Sequence, residues 1–125
     1  MSEAPSVAVI DEDASASRAL SRLLSGAGFA PKLFSSAEAF LADPRSPAFS
    51  SLVVDMQLPG ISGLELQRQL LAQGNRTPLI FLTADDDAAT RAEAIHNGCA
   101  GYFRKTDPGA VLITTLRRTI AGAAG

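Results

Sequence analysis

Two hydrophobic periods alternate along this chain from one end to the other. Short apolar runs rich in β-branched residues fall at Val7–Ile10, Pro31–Phe34, Leu52–Val54, Leu79–Leu82 and Gly101–Phe103, and each reads as a strand. Between them apolar side chains recur at helical spacing: Leu20, Leu23 and Leu24; Ala37, Phe40 and Leu41; Leu66 and Leu70; Ala88, Ala92 and Ile95; Leu112, Leu116 and Ile120. The punctuation agrees. Gly26 and Gly28 close the first helix, Ser36 caps the second, Gly74 closes the third and Pro108 opens the fifth. Five βα units in succession predict an α/β fold with a mostly parallel sheet and helices on both faces, because right-handed crossovers lay each helix over the sheet.

The chain has 125 residues, 46% of them hydrophobic and 19% charged, enough for one domain with a real core and too few for a multidomain enzyme. Its one cysteine, Cys99, excludes an internal disulfide and fits a reducing compartment. The opening MSEAPS has neither the basic nor the apolar region of a secretory signal, and no apolar run approaches the ~18 residues of a membrane span. A cytoplasmic chain with no membrane partner is expected. Eleven Lys+Arg against thirteen Asp+Glu, a net charge of −2, argue against direct nucleic-acid binding, which needs clustered basic residues.

That near-neutral total hides where the charges sit. In a doubly wound sheet, ligands bind beyond the carboxyl ends of the strands, near the point where strand order reverses. Those ends carry Asp11, Glu12 and Asp13 after the first strand, Asp55 after the third, Thr83 after the fourth and Lys105 after the fifth. Only the second ends blandly, in Ser35 and Ser36. Gathering Asp11, Glu12 and Asp55 is costly, since like charges ~4 Å apart repel by about 4 kcal/mol at an effective dielectric of 20. A positive group must offset them. Oxygen ligands without His or Cys favour a hard octahedral cation, and Mg²⁺ is the natural occupant. Lys105 adds a fixed positive charge. Carboxylates, Mg²⁺, a hydroxyl and an ammonium at one point make a phosphoryl-transfer site, in which one carboxylate can act as nucleophile.

The segments VAVIDED, SLVVDMQLPGISGLEL, LIFLTA and GYFRKTDP resemble, in order and spacing, the receiver domain of bacterial two-component response regulators. The run FSSAEAFLA is particularly similar to receivers of the nitrogen-fixation regulator subfamily. The resemblance covers the whole chain. It implies a flavodoxin-like (βα)5 fold with strand order 2-1-3-4-5, one receiver over residues 1–125 with its core at 6–120, and residues 121–125 as a tail or the start of a linker. It implies further that Asp55 accepts a phosphoryl group from a sensor histidine kinase or a phosphotransfer protein. Asp11 and Glu12 would hold Mg²⁺ together with Asp55 and the backbone carbonyl of Gln57. Thr83 and Lys105 would bind phosphoryl oxygens, and Tyr102 matches an aromatic position that turns inward on activation. Gln57 and Asp85 stand where they would modulate dephosphorylation. The implied partners are the kinase and an output domain or downstream protein, with the receiver a monomer or a phosphorylation-dependent dimer. Its chemistry would be its own phosphorylation and slow self-hydrolysis, not turnover of a substrate.

Three residues depart from the family pattern. Glu12 stands where Asp is commoner, and Asp85 places a carboxylate at the rim of the site. Thr106 replaces the usual proline after the lysine; a cis bond before a non-proline residue costs roughly 2.5–4 kcal/mol, so a trans bond and a differently aimed Lys105 are expected. Asp85, Asp86 and Asp87 also read as caps of the fourth helix, His96 as an exposed helix residue, Cys99 as a small buried hydrophobe and Tyr102 as either core or switch. Other functions compete. VIDEDAS also resembles the motif of haloacid-dehalogenase-type phosphatases, with Asp11 as nucleophile, although the later acidic pair of those enzymes is missing. A degenerate receiver used only for docking is another reading. A phosphotransfer module using His96 would be a helical bundle, which the β-rich runs contradict. No basic recognition helix follows residue 120, so the chain is expected to act through protein contacts or to be part of a longer regulator.

Overall fold

The computed structural model describes residues 4–124. Strands β1 (Ser6–Ile10), β2 (Ala30–Phe34), β3 (Ser51–Asp55), β4 (Leu79–Thr83) and β5 (Gly101–Arg104) alternate with helices α1 (Ala14–Gly26), α2 (Ala37–Ala42), α3 (Gly63–Ala72), α4 (Ala88–His96) and α5 (Gly109–Ala124). All strand pairs are parallel, in the order β2-β1-β3-β4-β5. The βα alternation predicts the parallel sheet, and the order is the flavodoxin-like one that the family resemblance implies. Among the described residues, no helix is long and apolar enough to cross a membrane.

The pleat divides the core in two. Ala8, Ile10, Leu52, Val54 and Phe81 face one side, where they meet Phe40 of α2, Leu66 and Leu70 of α3 and Ala94 of α4. Val7, Val9, Val53, Ile80 and Leu82 face the other, against Leu24 of α1 and Leu112 and Leu116 of α5. Successive strand residues point to opposite faces, so a strand covered on both sides must be apolar throughout. β3 and β4 are buried along their whole length. Helices α1 to α4 start at side-chain caps: Asp13 accepts from the Ser15 and Ala16 N–H groups, Ser36 from Ala39, Ser62 from Glu65 and Asp87 from Thr90, satisfying donors that a helix leaves open.

Two expected helix faces differ from the structure. Ala88, Ala92 and Ile95 of α4 are exposed, Ile95 at 55%, and only Ala94 is buried. The alanines of α4 give little apolar contrast to orient it, and polar contacts take over: Gln67 Nε2 on α3 donates to the Ala94 carbonyl at 3.1 Å, and Arg68 pairs with Glu93. On α1 the buried stripe narrows to Leu24, with Leu23 exposed and lying beside Gly109. The short 3₁₀ turn Ser46–Ala48 has no counterpart in the sequence reading. Helix α5 runs on through Ala121–Ala124, which were set apart as a tail; alanine is the best helix former.

The site is fixed by a close approach of α3 to β3. At Gly63 a Cβ would lie 2.7 Å from the Asp55 carbonyl oxygen and 3.0 Å from Met56 Cα. Gly63→Ala is therefore expected to lower the unfolding free energy by roughly 1–3 kcal/mol. Gly26→Ala, where nothing lies within 4 Å, is expected to leave it unchanged or slightly raised. Urea denaturation of both variants checks the contrast, and equal effects would contradict it.

Candidate functional site

β1 crosses over to β2 on one side and its other neighbour is β3, so the strand order reverses at β1 and β3. Asp11 follows the last residue of β1, Asp55 ends β3, Thr83 ends β4 and Lys105 follows β5. The register pairs Asp55 with Leu82 and Thr83 with Arg104, bringing these four residues to one edge.

Lys105 is the centre of the arrangement. Its Nζ donates to Asp11 Oδ2 at 2.9 Å and to Asp55 Oδ2 at 3.2 Å. Both carboxylates are buried, at 4% and 6% exposure, while the lysine keeps partial access to water. The other oxygen of each acid accepts a backbone N–H two residues on, Asp13 to Asp11 Oδ1 at 2.9 Å and Gln57 to Asp55 Oδ1 at 3.0 Å. Burial pushes the Asp55 carboxyl above the usual carboxylate range, and the Asp11 charge adds to this; the Gln57 N–H and Lys105 oppose both without cancelling them. Burial pulls Lys105 down, but its bonds to Asp11 and Asp55 outweigh that and hold the ammonium above its ordinary value.

Glu12 does not join them. It is exposed, so the expected convergence of Asp11, Glu12 and Asp55 becomes a pair of buried acids bridged by a lysine. The short link from Ile10 into the α1 cap turns Asp11 inward, while Asp13 is spent on the cap. Among the described residues, no group of three or more His, Cys, Asp or Glu side chains is arranged to hold a metal ion. The donors at this edge still suit Mg²⁺: two carboxylates close enough to share one ammonium, with only oxygen ligands beside them, fit a hard cation that retains several waters. Lys105 is not misaimed either. The described residues contain no cis peptide bond, and with Thr106 following it the lysine still reaches both acids.

Thr83 is fully buried, and its hydroxyl bonds to Asp85 and Gln57 and not to Asp55. Its Oγ1 donates to the Asp85 carbonyl at 2.8 Å and accepts from the Asp85 N–H at 3.1 Å and from Gln57 Nε2 at 3.0 Å. The Ala84 N–H donates to Gln57 Oε1 at 3.2 Å, which fixes the orientation of the amide. Asp85 therefore acts here through its backbone. Of its neighbours only Asp87 caps α4; Asp86 pairs with Arg91 and Arg104. Tyr102 is buried against Phe81, with the Arg91 guanidinium 5.5 Å from its ring centre and its hydroxyl without a hydrogen-bond partner. Burial, then the Asp86 charge, push that hydroxyl upward, against the opposing pull of the nearby Thr83 side chain and the Arg91 charge. His96 is exposed and Cys99 half-buried. Gln57 is named in the sequence as a modulator of dephosphorylation, but the bonds of its amide to Thr83 and Ala84 and the Arg91–Asp86–Arg104 cluster have no signal there, since both depend on segments from different strands meeting in space.

A doubly wound parallel sheet with an acid–lysine–acid bridge at its switch point defines a flavodoxin-like domain with a site at the carboxyl edge. The chain belongs to the response regulator receiver domain family, whose profile matches residues 7–117. It is 36% identical over 97 residues to the response regulator protein TodT of Pseudomonas putida, covering 78% of this chain and 43% of that protein. It is 34% identical over 124 residues to the transcriptional regulatory protein FixJ of Azorhizobium caulinodans, covering 99% and 59%. The solved FixJ-N structure superposes with a TM-score of 0.84 at 31% identity, covering 97% of this chain and 96% of that one. The chain spans about half the length of these curated relatives.

The raised Asp55 carboxyl has a consequence for stability. Between its unfolded and folded values folding takes up a proton, so this group's contribution to stability falls as pH rises through that interval. Asp55→Asn is expected to melt higher than the wild type at neutral pH, by roughly a few degrees. The gap should close as pH falls through the carboxylate range. Calorimetry across pH checks this, and a variant melting no higher at neutral pH would contradict it.

Proposed function

We propose that this receiver is a phosphoacceptor switch in two-component signalling. The observation that carries the reading is Lys105 bridging the two buried acids Asp11 and Asp55 at the reversal point of a receiver fold. An Asp55 carboxylate oxygen attacks the phosphorus of a phosphohistidine on a sensor kinase or phosphotransfer protein. The new P–O bond forms as the P–N bond breaks and the imidazole leaves. Lys105 supplies a fixed positive charge for the phosphoryl oxygens, and the Thr83 hydroxyl and Ala84 N–H stand on the adjacent strand end to donate to them. Asp11, Asp55 and the Gln57 carbonyl would hold Mg²⁺, with Glu12 contributing from the exposed rim, and the cation when bound would neutralise phosphoryl charge that the lysine alone leaves uncompensated. Gln57 and Asp85 flank Thr83 and would modulate loss of the phosphoryl group as water attacks it.

The donor also needs a seat beside the acceptor. A cavity of about 270 Å³ between α1 and α5, walled by Leu20, Leu23, Pro108 and Leu112, runs up to Asp11 and Lys105 and offers apolar surface to a partner. Downstream, the changed surface would lie on α4, β5 and α5, where it would act on an output domain or a separate protein. FixJ, a relative that this chain matches over part of its length, is described as a transcriptional regulatory protein. The domain would catalyse only its own phosphorylation and hydrolysis, in the cytoplasm, as a monomer or a phosphorylation-dependent dimer.

Incubation with Mg²⁺ and acetyl phosphate is expected to add one phosphoryl group, mapped to Asp55 by mass spectrometry and lost in Asp55→Asn. Label on Asp11 would support the phosphatase reading. No label on folded protein would leave only a docking role.

A further inference from the structure

Gln57 holds two loops together at the acceptor edge. Its backbone N–H donates to Asp55 Oδ1, while its side-chain amide crosses to β4, giving Nε2 to Thr83 Oγ1 and taking the Ala84 N–H on Oε1. Because Asp55 pairs with Leu82 in the sheet, Thr83 and Ala84 extend one and two residues past the acceptor. They are the donors at the end of β4 best placed to meet a group built outward from Asp55. Both are engaged: the amide of Gln57 accepts the Ala84 N–H, and the single hydroxyl hydrogen of Thr83 is shared between the Asp85 carbonyl at 2.8 Å and Gln57 Oε1 at 3.2 Å. Gln57 itself is exposed, so its side chain has solvent to withdraw into.

We propose that the Gln57 carboxamide is an internal competitor for the phosphoryl group. In the unphosphorylated protein it occupies the Ala84 N–H and bonds the Thr83 hydroxyl, and it must leave before the Ala84 N–H can serve a group on Asp55. The competition is winnable, because hydrogen bonds to a charged oxygen are roughly twice as strong as those between neutral groups. The amide therefore raises the threshold for modification without blocking it. Holding a long, exposed side chain in one conformation also costs rotamer entropy, which its release returns. This inference rests on the receiver reading and adds to it a residue that sets how readily the site is occupied.

The test uses Gln57→Ala and Gln57→Met, the second keeping bulk while removing the amide, with Asp55→Asn as a control. Amide hydrogen exchange at Ala84 is followed without any phosphodonor. Affinity for beryllofluoride, a phosphoryl analogue, is then titrated with Mg²⁺ present. Both Gln57 variants are expected to exchange faster at Ala84 and to bind beryllofluoride about three- to tenfold more tightly, the value of one net neutral hydrogen bond. Unchanged exchange would show that the amide does not hold Ala84 and would overturn the proposal. Faster exchange with unchanged or weaker beryllofluoride binding would overturn it too, since the two would not compete. If the wild type binds no beryllofluoride and so matches Asp55→Asn, the receiver reading falls and takes the competitor role with it. Failure of this inference alone is distinct, because the wild type then binds and the variants bind no more tightly.

Discussion

One ammonium shared between two buried carboxylates organises this molecule. Asp11 and Asp55 lie at the ends of adjacent parallel strands, and both are nearly closed to solvent. Left to themselves they would repel by several kcal/mol at the separations a sheet edge imposes. Lys105, arriving from the far side of the sheet on β5, bonds to both. The arrangement is stable but not relaxed: the burial and mutual charge that push Asp55 upward are only partly offset by the lysine and the Gln57 N–H. A buried acid held in that state gains from anything that spreads or neutralises its charge, as a divalent cation does.

From this bridge a continuous set of contacts leads outward along β4 and β5. Thr83 is tied to Gln57 and to the Asp85 backbone, and next in the chain Asp86 pairs with both Arg91 of α4 and Arg104 of β5. Arg104 precedes Lys105, and Arg91 covers the ring of Tyr102. The helix these contacts reach is the one with the least apolar anchorage, since α4 buries only Ala94 and leans on the polar Gln67 and Arg68 of α3. Weak apolar packing is what an element needs if it is to have two accessible positions. Tyr102, buried with an unpaired hydroxyl, packs on Phe81 of β4 and under Arg91 of that helix.

Much of this was legible in the residue pattern because it follows from period and position. Strands with apolar residues on both faces, such as Leu52–Val54 and Leu79–Leu82, announce themselves, and the polar residue after each one lands at the carboxyl edge by topology alone. Asp11, Asp55, Thr83 and Lys105 were found in that way. What the pattern could not carry was direction. Glu12 and Asp11 are neighbours, and only the turn into α1 decides that one faces inward while the other is exposed. The face of α4 was misread because a helix of alanines and charges has little apolar contrast, so Gln67 and Glu93 orient it through contacts between elements. The bonds made by the Gln57 amide are illegible for a similar reason, since its partners lie at the end of β4, 26 and 27 residues away.

The central claim is that Lys105 and Asp55 are energetically joined, so that the lysine offsets part of the cost of burying the acid. A double-mutant cycle measures this directly. Unfolding free energies of the wild type, Lys105→Met, Asp55→Asn and the double variant should show a coupling of about 1–3 kcal/mol, with Lys105→Met much less damaging once Asp55 is neutral. Additive effects, with no coupling beyond error, would mean that the two groups merely lie close and that the bridge does not hold the site together.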